Sequence, residues 1–167
     1  MNATVTLVPW GSGDLPLLER LMGDPRMTEH LGGPESPNKL RERQARYERL
    51  EGGDRAFKIL DVAASAGVGW VGFWSTEWRA EHVYEIGWSV VPEFQGRGIA
   101  AAATAQAIEL AKRDDKHRFM HAFPNIENAP SNAICRKLGF ELLEACEVEF
   151  PKGHLMTCND WRLDLRD

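Results

Sequence analysis

A chain of 167 residues with 43% hydrophobic and 27% charged content is expected to form one soluble domain spanning 1–167, with a sizeable core. The net charge of −5 argues against a nucleic-acid partner, and no apolar run approaches the roughly 20 residues needed to span a bilayer. Cys135, Cys146 and Cys158 are odd in number and form no CxxC pair, and Met1-Asn2-Ala3-Thr4 has no signal-peptide character; a cytoplasmic protein with reduced thiols is expected.

In chain order, Thr4 to Val8 alternates in polarity and predicts a first strand. Asp14 is placed to cap a short helix carrying Leu15, Leu18, Leu21 and Met22, and Asp24-Pro25 ends it. Gly32 to Pro37 is loop by composition. A second helix is predicted from Ser36 or Asn38 to about Glu51; it sets a sparse apolar face against five Arg/Lys and is read as a solvated surface helix. Strands are predicted over Ala56–Val62, Val68–Ser75 and Val83–Val91, and their short links imply an antiparallel meander. In the second of these strands Trp70 and Trp74 share one parity, Val71 and Phe73 the other. A helix over Ile99–Arg113, a strand over Arg118–Phe123, a helix after Asn128 and strands Glu141–Phe150 and Leu155–Leu165 complete the chain. The strand–helix–strand unit in the middle requires a parallel pair with a right-handed crossover. The implied fold class is α+β: a mixed, mostly antiparallel sheet of about six to seven strands with helices on both faces.

The stretch around which the chain is organised is Val90-Val91-Pro92-Glu93-Phe94-Gln95-Gly96-Arg97-Gly98-Ile99-Ala100. It leaves a strand, turns on two glycines and enters an Ala-rich helix. Glycine allows left-handed backbone and close ligand approach. The first helical turn has unpaired N–H groups and the positive end of the helix dipole, so an anion such as phosphate is the natural guest. Arg97 adds a cation. Gly96, Gly98 and Ala101 also mimic a dinucleotide fingerprint, but the next strand ends in Pro124-Asn125 and not in the carboxylate that this fingerprint needs.

A second stretch, Asn128-Ala129-Pro130-Ser131-Asn132-Ala133-Ile134-Cys135-Arg136-Lys137-Leu138-Gly139-Phe140, is a well-punctuated short helix. Asn128 sits at the cap position, Pro130 in the first turn and Gly139 at the stop. Between Gln95 and Lys137 there are seven Lys/Arg and four Asp/Glu, whereas from Leu138 to Asp167 there are three against seven. This division fits an anionic cofactor on one side and a cationic amine on the other.

Gln95-x-x-Gly98-x-Ala100, followed by Asn128-x-x-Ser131-x-x-x-x-x-Lys137-x-Gly139-Phe140, resembles the GNAT superfamily of N-acetyltransferases. Tyr84 to Phe140 carries the resemblance. Glu85-Ile86-Gly87-Trp88 leading into Pro92–Gly98 looks most like the Rim-type branch, the ribosomal-protein N-terminal acetyltransferases. The resemblance implies acetyl transfer from acetyl-CoA to a primary amine, by direct attack within a ternary complex. It implies no metal and no membrane or nucleic-acid partner, and leaves a homodimer open. Val90, Gln95, Gly96, Arg97, Gly98, Ile99, Ala100 and Asn128 are the expected cofactor contacts. Many members have a tyrosine where this chain has Cys135, so Ser131 becomes the candidate acid for the leaving thiolate. Glu85, beside tryptophans on the strand entering the turn, is the candidate base, with burial expected to raise its pKa. Glu147 and Glu149 are alternatives, and His82 and His121 are read as surface or core histidines. The rival reading is a non-catalytic acyl-CoA-binding or sensing domain.

Overall fold

A computed structural model of the protein describes residues 3–167. The strands are β1 (Val5–Pro9), β2 (Arg55–Asp61), β3 (Ala66–Trp78), β4 (Glu81–Val90), β5 (Phe119–Ala122), β6 (Glu141–Glu149) and β7 (Leu155–Asp164). The helices are α1 (Leu15–Met22), α2 (Pro37–Glu48), α3 (Ile99–Asp114) and α4 (Ala129–Lys137). One seven-stranded sheet, within the expected six to seven strands, runs in the order β1-β2-β3-β4-β5-β7-β6. Every neighbouring pair is antiparallel except β4–β5, the pair joined by the α3 crossover.

The two parities of β3 go to different faces. Val71 and Phe73 are fully buried, together with Tyr84 and Ile86 of β4 and the α3 residues Ala103, Ala107 and Ala111. Small alanines let this helix lie close to the sheet. Trp70 and Trp74 lie on the opposite face and stay half-buried. The Trp70 ring lies along that face over two glycines: a Cβ at Gly72 would come within 2.6 Å of it and one at Gly87 within 3.2 Å. Tyr47 of α2 stacks on Trp70 at 5.4 Å and meets Trp10 edge-on at 5.8 Å.

The predicted solvated second helix is therefore anchored. Leu40 and Gln44 are buried, and Gln44 accepts from Trp10 Nε1 at 2.7 Å and donates to Gly11 O at 2.8 Å. A single glutamine and a tyrosine dock what a sparse apolar stripe does not. Ser36 caps this helix, accepting from Lys39 N at 3.3 Å. The helix stops at Glu48, short of the predicted Glu51, before the left-handed Gly52-Gly53 pair. Asp14 precedes α1 but makes no capping bond. Its carboxylate instead accepts from Gly11 N and Lys58 Nζ, both at 2.8 Å.

The largest difference from the predicted spans is the β3–β4 hairpin. Pairing runs through Trp78↔Glu81, and Arg79 and Ala80 form the two-residue turn with φ of 51° and 66°. Such turns are normally signalled by Asn-Gly, and Arg-Ala carries no such signal, so the strands run several residues further than their polarity indicates. Tertiary contacts hold the turn: the Arg79 guanidinium lies 5.1 Å from the Trp78 ring centre and pairs with Glu144 of β6 at 2.5 Å.

Candidate active site

The parallel β4–β5 ladder consists of Tyr84↔Met120 and Glu85↔His121. Past Glu85, β4 continues to Val90 paired on its β3 side, while its β5 side has no ladder partner among the described residues. The sheet therefore forks at Glu85. Val91 N donates to Val68 O of β3 at 2.9 Å, so strand alternation turns the N–H and C=O of Val90 the other way, into the fork. The carbonyl of Val90 is met by Gln95 Nε2 at 2.9 Å. Gln95 thus ties the glycine turn back onto β4, and the Val90 N–H is left facing the fork.

The turn itself has the predicted form. Gly96 and Gly98 have φ of 74° and 77°, and Gly98 is the left-handed N-cap of α3. A Cβ at either glycine would meet nothing within 4 Å, so an open cradle faces the helix. The first-turn amides of Ile99, Ala100 and Ala101 lack helical partners by geometry, and no acidic residue sits in that turn. This donor set fits a pyrophosphate. Arg97 is folded back, donating to Glu93 O at 2.9 Å and lying 4.8 Å from the Phe94 ring centre.

Glu85 lies on the tryptophan face, opposite Trp74 in the β3–β4 register. Burial without a cationic partner pushes its carboxyl up to about 7. A carboxyl in that range exchanges protons near neutral pH and suits a base. The alternatives are less suited. Glu147 and Glu149 pair with Thr157 and Leu155, on the parity opposite Asp160, and both are exposed. Glu149 accepts from Gly153 N at 2.7 Å.

In α4, Asn128 caps the helix, accepting from Ser131 N at 3.2 Å. Ser131 is half-buried. Cys135 is 0% exposed, and burial pushes its thiol up to about 12. The two do not share an outlook even though their spacing is one helical turn.

Four residues of this region, His121, Asp160, Trp78 and Asn132, have roles that the sequence reading did not assign. His121, the register partner of Glu85, places Nδ1 2.6 Å from Asp160 Oδ1. Trp78 Nε1 donates to the other Asp160 oxygen at 3.0 Å. Asn132 is a buried hub. It donates to Asn125 O and Asn128 O at 3.0 and 2.8 Å, and accepts from Asn159 Nδ2 and Trp161 Nε1 at 2.9 and 2.8 Å. The available signal was parity: His121, Asp160 and Glu85 fall on one sheet face once the strand order is known. A cleft of about 510 Å³ opens between the α1–α2 loop and the β6–β7 hairpin; its lining includes Glu29, His30, Glu127 and His154 and none of the predicted site residues.

A family description, Acetyltransferase (GNAT) domain, matches residues 4–141. The chain belongs to the GNAT acetyltransferase family. Over 82 residues it is 34% identical to the uncharacterized N-acetyltransferase YnaD of Bacillus subtilis (strain 168). That stretch is 48% of this chain and 45% of the relative, so the match spans less than half of each. Among solved structures, spermidine N-acetyltransferase from Vibrio cholerae, in complex with CoA and spermine, aligns with a TM-score of 0.79 at 17% identity. The alignment covers 97% of this chain and 96% of that one. Ribosomal-protein-S5-alanine acetyltransferase from Vibrio fischeri aligns with a TM-score of 0.75 at 16% identity, covering 100% and 95%. At these identities the GNAT fold is shared, and the Rim-type branch is not singled out. Among the described residues no helix is long and apolar enough to cross a membrane.

Proposed function

We propose that the protein transfers an acetyl group from acetyl-CoA to a primary amine, by direct attack in a ternary complex. The observation that supports this best is the fork. Glu85 with its raised pKa, the β4 edge beyond it without a ladder partner and the glycine turn into α3 follow one another along the chain, which supports this reading. When bound, acetyl-CoA supplies the activated acetyl thioester. The amides from Gly96 to Ala100 hold its pyrophosphate, the Val90 N–H meets its pantetheine arm, and Gln95 and Ile99 keep the turn in shape. Asn128 holds the α4 terminus that presents Ser131. Glu85 takes the proton of the incoming amine. Ser131 donates its hydroxyl hydrogen to the departing thiolate, since Cys135 is enclosed in the core.

The carboxylates of Glu29 and Glu127 in the neighbouring cleft favour a cationic amine as the acceptor. The deciding experiment mixes purified protein with acetyl-CoA and spermidine, an aminoglycoside or an alanine-headed peptide, and traps released thiol. Amine-dependent thiol release is expected. Coenzyme A binding by calorimetry with no release for any amine would instead support the acyl-CoA-binding or sensing reading.

A further inference from the structure

We propose that His121, held by Asp160, receives the acceptor's proton from Glu85, so that the three side chains form one proton path at the fork. The inference rests on the reading of Glu85 as the base.

His121 and Asp160 are 5% and 1% exposed, on neighbouring strands. Each Asp160 oxygen has one donor, His121 Nδ1 at 2.6 Å and Trp78 Nε1 at 3.0 Å. A carboxylate so placed accepts from Nδ1–H and leaves the imidazole lone pair on Nε2. Stacking on Phe123 at 5.7 Å, with 13° between the planes, holds the ring's orientation. Phe123 is in turn met edge-on by Trp78 at 4.8 Å. The two ring nitrogens point in nearly opposite directions, so with Nδ1 turned to β7, Nε2 is turned toward β4. There, Glu85 is the register partner of His121, about 4.8 Å away along the ladder and on the same face. Among the described residues Nε2 has no protein hydrogen bond and is not one of the fully buried polar atoms left without a partner, so its lone pair is accessible.

A histidine that only packs needs no carboxylate beneath it, and enclosing Asp160 is costly unless its oxygens are paired, as they are here by His121 and Trp78. The other groups around the ring are committed or neutral. Arg162 turns to Glu141 at 3.7 Å and lies 4.5 Å from the Phe119 ring centre. Glu144 pairs with Arg79. Burial pushes the thiols of Cys146 and Cys158 up.

The proton path balances. An N–H bond of the ammonium breaks, its electron pair stays on nitrogen, and an O–H bond forms on Glu85. That O–H then breaks as Nε2 forms an N–H bond, and Asp160 carries the charge opposite the imidazolium. The proton leaves Nε2 for solvent, and Glu85 is again ready.

The test has a spectroscopic and a kinetic arm on the full chain. With ¹⁵N-histidine labelling, neutral His121 should show the Nδ1–H tautomer, and Asp160→Asn should mix the tautomers. In the kinetic arm, His121→Asn keeps a donor for Asp160. With the fastest of spermidine, an aminoglycoside or an alanine-headed peptide as acceptor, it should lower kcat about 10- to 100-fold with the KM for acetyl-CoA unchanged. The double variant with Glu85→Gln should be no slower than Glu85→Gln alone. A neutral His121 that is not the Nδ1–H tautomer, or losses that multiply in the double variant, overturns the path while leaving Glu85 as the base. A Glu85→Gln protein at the parental rate removes the base reading itself, and the path with it.

Discussion

Glu85→Gln should make the protein slower and more stable at once, and the stability gain should depend on pH. The Glu85 carboxyl moves from an ordinary 4.5 to about 7 because it is buried without a cation. Between these values the unfolded chain has released the proton that the folded chain still holds, so folding loses stability as pH rises through this window. The protonated carboxyl costs nothing extra below pH 4.5, and the penalty is complete above pH 7. At 1.36 kcal/mol per unit the full penalty is about 3 kcal/mol. Partial exposure of the site reduces this to about 1–2 kcal/mol. Glutamine has the same shape and no charge, so urea unfolding should find the variant about 1–2 kcal/mol more stable at pH 8 and equal to the parent near pH 4. In a chain of this size that is a gain of roughly 3–6 °C in Tm at pH 8. Turnover should fall about 10- to 1000-fold, and the parental decline in kcat/KM below pH 7 should vanish. A stability difference that is the same at pH 4 and pH 8 would refute the buried-carboxyl argument. A parental rate from pH 6 to 9 would reduce Glu85 to a structural residue.

Gly98→Val should cost about 1–2 kcal/mol of stability, since φ at that position is 77°, and should weaken coenzyme A binding at least 10-fold; unchanged affinity by calorimetry in a folded variant would remove the turn from the cofactor site. Ser131→Ala should lower turnover with little change in acetyl-CoA affinity, while Cys135→Ala should retain parental turnover and lose about 1 kcal/mol of stability from the core. A larger catalytic loss in Cys135→Ala would reverse the two roles, and parental rates in both would assign thiolate protonation to solvent. Asn132→Ala strands the buried donors of Asn159 and Trp161, while Asn125 O and Asn128 O keep their backbone donors. It should cost about 2–4 kcal/mol in chemical unfolding, and a loss below about 0.5 kcal/mol would show that water replaces the hub.

The elements that carry local chemistry were legible in the chain itself. Glycine at Gly96 and Gly98, the Ala-rich run after them and Asn128 before Pro130 each specify a backbone conformation within a few residues. The glycine turn and both helix starts therefore lie where the pattern puts them. The parity of β3 likewise assigned Val71 and Phe73 to one face and the tryptophans to the other. Tertiary structure decided whatever depends on partners distant in sequence. The Arg79-Ala80 turn is held by a tryptophan ring and by Glu144 on another strand, and α2 docks through a single glutamine to Trp10. Ser131 and Cys135 share a helical spacing, yet packing against the sheet buries the cysteine and leaves the serine half-open. The raised carboxyl of Glu85 required walls from β3 and β4 around it. The Asp160–His121 pair joins residues 39 apart in sequence, and it became visible only when the strand order brought β7 beside β5. Hydrogen bonds and desolvation act over a few ångströms of space, so they can be read from sequence only where neighbours in space are also neighbours along the chain.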